Sequence, residues 1–292
     1  MVTGMSIPFP PFQPDPPDGT RPVRTFRGIP LRMLAPSMIT LLALCSGLTS
    51  IRMSFEDRID VAIAAIAFAA LLDALDGRVA RMLKSTSRFG AELDSLADFV
   101  NFGVAPAILL YAWLLDMLGS LGWLGGLLFA LCSALRLARF NVQLDSRDRP
   151  AWMGNFFVGV PAPAGAMVLL LPVYLSLIGM PRLEAGALIV LAYQCLIAFL
   201  MVSRLPTFSG KRFGERIPRE MVLPVFVAVV MFFALLASFP WSTLAIGSIA
   251  YLVALPISLL AFRRLEKRHA ASERKAKEQP VAEAPASEIA ET

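Results

Sequence analysis

Four aspartates stand where an apolar chain should carry none. Asp73 and Asp76 lie near the end of one long apolar stretch, and Asp94 and Asp98 near the start of the next. Asp73, Asp76, Gly77, Ala80 and Arg81 are spaced i, i+3, i+4, i+7 and i+8, so a helix lays them along one face. Gly90, Asp94 and Asp98 follow at i, i+4 and i+8, with Asn101 a further turn along. The link between the pairs, residues 82–89 (MLKSTSRF), is polar and basic and predicts a turn at a membrane interface. Two antiparallel helices joined there bring their acidic faces together just inside the boundary. Carboxylates converging in a low-dielectric site repel one another and need partners. Arg81 can offset only one of them. Divalent cations can offset the rest. Oxygen donors without His or Cys suit hard ions, Mg²⁺ or Mn²⁺, rather than zinc. Two such ions about 3.5–4 Å apart bridge phosphate oxygens and polarise phosphorus for in-line attack. Gly77 and Gly90 leave bare backbone beside the carboxylates, open to a flat base or a pyrophosphate, although helix packing uses glycine in the same way.

A single membrane aspartate can also be a hydrogen-bond partner between helices or a step in a transporter's cation path. A path, however, spreads its acidic groups across the bilayer, and these four gather at one interface.

The elements that must position them follow from hydropathy. The 292 residues are 57% hydrophobic, with a mean hydropathy of +0.65, well above a soluble protein of this length. At about 20 apolar residues per crossing the chain suits one all-α polytopic bundle of roughly eight transmembrane helices. The predicted spans are 34–53, 60–83, 89–115, 121–143, 156–178, 183–203, 218–239 and 241–262. Three regions result: a tail and interfacial segment over 1–33, a transmembrane catalytic domain over 34–263 and a C-terminal tail over 264–292. Residues 1–22 are proline-rich and predict disorder, whereas 23–33 mix Arg with apolar side chains and suit the membrane surface. No basic n-region followed by a sustained apolar core marks a signal peptide.

The +5 net charge is mostly a topological signal. All but Arg52, Arg58 and Arg182 of the 27 Lys and Arg residues fall in the tails or on one set of loops. This asymmetry predicts that both termini and the acidic site face the cytoplasm. It also gives the basic balance a cause other than nucleic acid. Cys45, Cys132 and Cys195 lie far apart in apolar segments and read as small buried residues rather than a disulfide framework. His269, in the charged tail, is the sole histidine, which excludes histidine catalysis in the membrane core.

The stretch from Asp73 to Asp98 runs D-A-L-D-G-R-V-A-R, eight residues, then G-A-E-L-D-S-L-A-D. It resembles the signature of the CDP-alcohol phosphatidyltransferases at every fixed position. The resemblance implies a membrane helix bundle that dimerises, and a reaction in which an alcohol displaces CMP from a CDP-linked lipid. It implies that Asp73, Asp76 and Asp94 ligate metal, and that Asp98 ligates metal and takes the proton of the incoming alcohol. Gly77 and Arg81 match nucleotide and pyrophosphate contacts, and Ser87 falls where some members place a hydroxyl against the CDP moiety.

The flanking runs D-S-L-A-D-F-V-N-F-G-V-A-P-A (94–107), A-L-R-L-A-R-F-N (134–141) and F-F-V-G-V-P-A-P-A-G (156–165) resemble the multi-spanning bacterial and archaeal phosphatidylserine synthases. Asn101 stands where these commonly carry Ser, and Ser37 where Asn is usual. The implied substrates are CDP-diacylglycerol and L-serine within a lipid membrane. Glycerol 3-phosphate, inositol phosphate or choline are the other acceptors the same chemistry admits. Arg136 and Arg139, three residues apart, can grip a serine carboxylate or a lipid phosphate through forked donors, and Asn141 can orient either ligand. Positive-inside anchoring is the other use of the two arginines. Pro161 and Pro163 predict a kink near the cytoplasmic end of the fifth span, and the basic 204–219 loop predicts a solvated face.

Overall fold

A computed structural model describes residues 31–83, 87–145, 156–181, 186–203, 206–208 and 219–258. The N-terminal tail, residues 84–86 of the link, much of the 204–219 loop and the C-terminal tail lie outside them.

Helix α1 (Leu31–Phe55) opens the bundle. It begins inside the segment expected on the membrane surface, because Leu31, Met33 and Leu34 already belong to its apolar run. Its inward positions Thr40, Ala43, Gly47, Ser50 and Ser54 are small and recur every three or four residues. Such a stripe lets a second helix approach closely. That helix is α2 (Ile59–Met82), whose buried stripe is Ile59, Ala62, Ile63, Ile66, Ala69, Leu72 and Asp76. The Ser46 hydroxyl donates to the Ala65 carbonyl across the pair at 2.8 Å.

The third span is helical throughout but irregular. Helix α3 (Arg88–Asp98) passes into a π-turn (Phe99–Val104) and then into α4 (Ala105–Trp113). A short 3₁₀ turn (Leu115–Leu118) and Gly119, at φ +54°, reverse the chain into α5 (Ser120–Asp145). The core lies where α1, α2, α4 and α5 meet α6 (Ala162–Leu169), α7 (Leu171–Leu177) and α8 (Ala187–Val202). It contains Ile63, Ile66, Phe102, Leu109, Phe129, Leu169 and Ile197. Helices α9 (Arg219–Ser238) and α10 (Pro240–Ser258) complete the described chain. Nearly every described side chain of α9 faces outward, as suits a helix bathed in lipid.

The protein is a multi-pass membrane bundle. Among the described residues, five helical segments are long and apolar enough to cross a bilayer: 34–55, 88–113, 120–142, 221–238 and 240–258. The remaining expected spans are helical but different in kind. In α2 the charge that builds the site dilutes the apolar run. Helix α8 has 16 residues, and α6 and α7 are two short pieces.

The fifth span departs most from expectation. Residues 156–158 pair antiparallel with 206–208 as a small ribbon, and the helix starts only at Ala162. Gly159, at φ +80°, turns the chain between them, and a Cβ there would press on the carbonyls of Met201 and Ser203. Pro161 caps α6 and Pro163 occupies its first turn, where the missing N–H costs nothing. These prolines start the helix rather than kink it. The break falls later, at Leu170, just before Pro172. Among the cysteines Cys132 is buried, Cys195 half-buried and Cys45 faces outward.

Helix α1 touches the π-turn at Gly47, where an added Cβ would collide with the Asn101 side chain. Gly47→Ala is therefore expected to lower the melting temperature in detergent, at an overpacking cost of about 1–3 kcal/mol. Gly247→Ala on α10, which meets nothing, serves as the control.

Candidate metal centre and active site

The inward stripe of α2 does not stay apolar to its end. Its last buried position is Asp76, only 4% exposed, with Asp73 one turn earlier on the same side. Burial of a carboxylate demands hydrogen bonds. Thr40 on α1, itself buried, donates its hydroxyl to Asp76 Oδ2 at 2.7 Å. The same hydroxyl lies 3.1 Å from the Pro36 carbonyl, so the stiff Thr side chain is held in one rotamer and Asp76 is held by it.

Helix α3 delivers the other two carboxylates. Ser87 is its N-cap, and its hydroxyl accepts the Gly90 N–H at 3.0 Å. An added Cβ on Gly90 would come within 3.1 Å of that hydroxyl and 3.8 Å of Ser37 Oγ. Gly90 thus keeps the cap tight, and α1 lies alongside. This cap sets where α3 starts, and with it the rotation that turns Asp94 inward. Asp73, Asp76 and Asp94 each present an oxygen, all within 4.8 Å of one another.

Asp98, one turn beyond Asp94, lies against Asp73 and in the electrostatic field of Asp94 and Arg136. All four aspartates are therefore brought together, three as a compact triangle and Asp98 against one corner. The donor set fits a hard divalent cation. It offers only carboxylate oxygens, no Lys or Arg among the described residues pairs with the triangle, and the Thr40 bond holds one ligand in place. Residues of this kind and spacing can hold a divalent ion, and with it a phosphate.

The nucleotide-side candidates are arranged unequally. Gly77 is half-buried, and a Cβ added there would meet no atom within 4 Å, so the space over it is open beside the carboxylates. Arg81 is exposed at the end of α2. It forms no ion pair among the described residues, so the expected offset of one carboxylate is absent. Ser87 and Gly90 serve the α3 cap, which leaves the Ser87 hydroxyl proton free to donate.

The three candidates on α5 separate. Arg136 is 8% exposed, points inward and has no hydrogen-bond partner for its Nε. Arg139 Nη2 donates to the Ser203 carbonyl at 3.2 Å and so fastens α5 to the end of α8. Asn141 Nδ2 donates to Ser95 Oγ at 2.9 Å and fastens α5 to α3. Asn101 does not continue the acidic face. The chain widens into the π-turn directly after Asp98, and Asn101 packs against Gly47, buried and without a hydrogen bond.

Sequence reasoning missed Thr40. Its one signal was position: it stands three residues after Ser37, on the α1 face that meets α2.

The site therefore combines a buried carboxylate triangle, an adjoining fourth carboxylate and a buried guanidinium on α5. Known proteins match most of the chain. The CDP-alcohol phosphatidyltransferase family pattern matches residues 33–203, which contain all of these groups. A second pattern, CDP-alcohol phosphatidyltransferase 2, matches residues 220–256. The chain is 45% identical over 219 residues to the CDP-diacylglycerol–serine O-phosphatidyltransferase of Mycobacterium leprae, covering 72% of this chain and 69% of that one. It is 33% identical over 223 residues to the enzyme of the same name from Helicobacter pylori, covering 75% and 88% respectively. For that of Methanocaldococcus jannaschii the identity is 37% over 177 residues, with 60% and 75% covered. With the family pattern spanning the helices that carry the carboxylates, and relatives this similar along the same stretch, the chain belongs to the CDP-alcohol phosphatidyltransferase family.

Proposed function

We propose that this protein is a CDP-diacylglycerol–serine O-phosphatidyltransferase, which joins L-serine to the phosphatidyl group of CDP-diacylglycerol and releases CMP. The observation that carries the reading is the carboxylate triangle of Asp73, Asp76 and Asp94 with Asp98 at its edge. The names and identities of the relatives support serine as the acceptor.

In this mechanism Asp73, Asp76, Asp94 and Asp98 hold two divalent ions, Mg²⁺ or Mn²⁺. Such ions, when bound, draw charge from the pyrophosphate oxygens and make phosphorus electrophilic. Asp98 accepts the proton of the serine hydroxyl. The freed oxygen forms a bond to the β-phosphorus, the phosphorus bond to the bridging oxygen breaks, and CMP departs with that electron pair. Thr40 keeps Asp76 in its ligating rotamer. The open face over Gly77 receives the nucleotide, the Ser87 hydroxyl and the Gly90 backbone border it, and Arg81 reaches the pyrophosphate from the end of α2. Arg139 and Asn141 hold α5 against α8 and α3, which keeps Arg136 facing the site.

The chain crosses the cytoplasmic membrane eight times, with both termini and the site on the cytoplasmic side. The segregation of Lys and Arg supports this orientation. The enzyme works as a homodimer, as its family resemblance implies.

Purified protein in detergent, given CDP-diacylglycerol, a divalent ion and labelled serine, should release CMP only when serine is present. Glycerol 3-phosphate, inositol phosphate and choline form the comparison panel. CMP release driven by one of these and not by serine would replace the acceptor and keep the chemistry.

Gly77→Ala offers a sharper check on the nucleotide face. The bundle has room for the methyl group, so the melting temperature should not fall. A ligand lying against that backbone does not have the room, so KM for CDP-diacylglycerol should rise roughly tenfold, a cost of about 1.4 kcal/mol.

A further inference from the structure

Two buried donor atoms, one on Arg136 beside Asp98 and one on Tyr251 beside Arg136, have no acceptor among the described residues. Arg136 on α5 is 8% exposed, and its Nε is shut off from solvent without a hydrogen-bond partner. Tyr251 on α10 is half-buried, and its hydroxyl is likewise sealed and unpartnered. The two side chains lie within electrostatic range of each other, and Arg136 lies within range of Asp98. Buried donors left without acceptors are costly, so proteins seldom keep them unless something else supplies the acceptor.

Helix α10 is fastened in a way that fixes this arrangement. Ala245 and Ser248 are buried, and Trp241, Leu244, Tyr251, Leu252 and Leu255 pack on the core beside them, which makes one helical stripe. Ser248, one turn before Tyr251, donates its hydroxyl to the Met167 carbonyl of α6 at 3.3 Å. The phenol is therefore held toward α5 by its own helix and does not depend on a loop.

We propose that Arg136 and Tyr251 form the carboxylate-binding end of the acceptor pocket, with α10 as its wall. This rests on the reading of the protein as a serine transferase. A guanidinium N–H and a phenol O–H are donors suited to the two oxygens of one carboxylate. L-Serine carries its reacting hydroxyl and its carboxylate on adjacent carbons, so a molecule with its hydroxyl at Asp98 directs its carboxylate toward the neighbouring Arg136. The pair selects for an acceptor that bears a carboxylate, and an alcohol without one leaves both donors unpaired. Discrimination by unpaired buried donors is large.

The test uses the full-length protein in detergent and two measurements. With wild type, CMP release is compared for L-serine, L-serine methyl ester and ethanolamine, the last two lacking the free carboxylate. Both analogues should react at least 100-fold less efficiently than serine. With Tyr251→Phe, which removes one oxygen atom and no bulk, KM for serine should rise roughly tenfold with kcat and KM for CDP-diacylglycerol little changed, and the preference for serine over ethanolamine should shrink. Tyr193→Phe, whose hydroxyl donates to the Val168 carbonyl at 2.6 Å, controls for loss of a buried phenol and should leave the KM for serine unmoved. Ethanolamine accepted as readily as serine by wild type overturns the proposal. So does a Tyr251→Phe variant that raises KM for CDP-diacylglycerol instead, since the pair would then serve a lipid phosphate. Absence of any serine-dependent CMP release from wild type would instead remove the serine reading on which the proposal stands.

Discussion

Asp98→Asn is expected to lower kcat by roughly 10²–10⁴-fold, the usual contribution of a positioned general base. The substitution keeps the size and the hydrogen-bonding shape of the side chain. It removes the ability to take a proton and one negative charge. Without divalent ions the variant should fold at least as stably as wild type, because a carboxylate now pressed against Asp73 and Asp94 has been neutralised. A fall in CMP release at an unchanged or higher melting temperature in chelator therefore reports lost chemistry rather than lost structure. A variant that keeps a tenth or more of the wild-type rate would show that another group takes the proton. Asp98→Ala distinguishes less well, since it also removes side-chain volume.

The second large effect concerns the ions. Chelation with EDTA should abolish CMP release, and added Mg²⁺ or Mn²⁺ should restore it. Activity alone does not show that the carboxylates bind the metal, so the protein itself supplies the other readout. A ligand that binds only the folded state stabilises it by about 2.7 kcal/mol at one hundred times its dissociation constant. Mn²⁺ should therefore raise the melting temperature of wild type without any substrate present. Asp94→Asn and Asp76→Asn each remove one corner of a triangle whose oxygens lie within 4.8 Å, and in both the rise should disappear together with activity. Thr40→Val tests the support behind Asp76. It keeps the branched shape, deletes the hydrogen bond, and should weaken Mn²⁺ stabilisation by 10–100-fold in apparent affinity, as loss of a bond behind a ligand commonly does.

Much of this site was legible before any fold was known. The spacing of Asp73, Asp76, Asp94 and Asp98 is a property of helical periodicity, and a low-dielectric setting turns four like charges into a demand for cations. The helical segments were readable for the same reason: in a bilayer every backbone group must be satisfied within its own helix, so apolar length alone marks a crossing. Charge segregation predicts orientation by an equally local rule.

Other features were out of reach. Thr40 is an ordinary residue of an apolar helix until α1 packs on α2 and aims its hydroxyl at Asp76. Arg136 and Arg139 look equivalent at three residues apart. Only the tertiary packing shows that Arg139 fastens a helix end while Arg136 is buried with its Nε unpartnered. By spacing Asn101 extends the acidic face, but the π-turn after Asp98 lodges it against Gly47. Pro161 and Pro163 read as a kink because proline within a span usually makes one. The ribbon of 156–158 with 206–208 put them at a helix start instead.

The four aspartates and the helical faces they share were thus determined by the sequence alone, because each face depends on neighbours within about two turns of the same chain. Which carboxylates form the triangle, which residue orients Asp76, and which of the arginines faces the site were decided by the tertiary structure. Those outcomes depend on how helices far apart in sequence rotate against one another, and that rotation is set by small side chains at the contacts, such as Gly47, Ser50 and Gly90, rather than by the residues that do the chemistry.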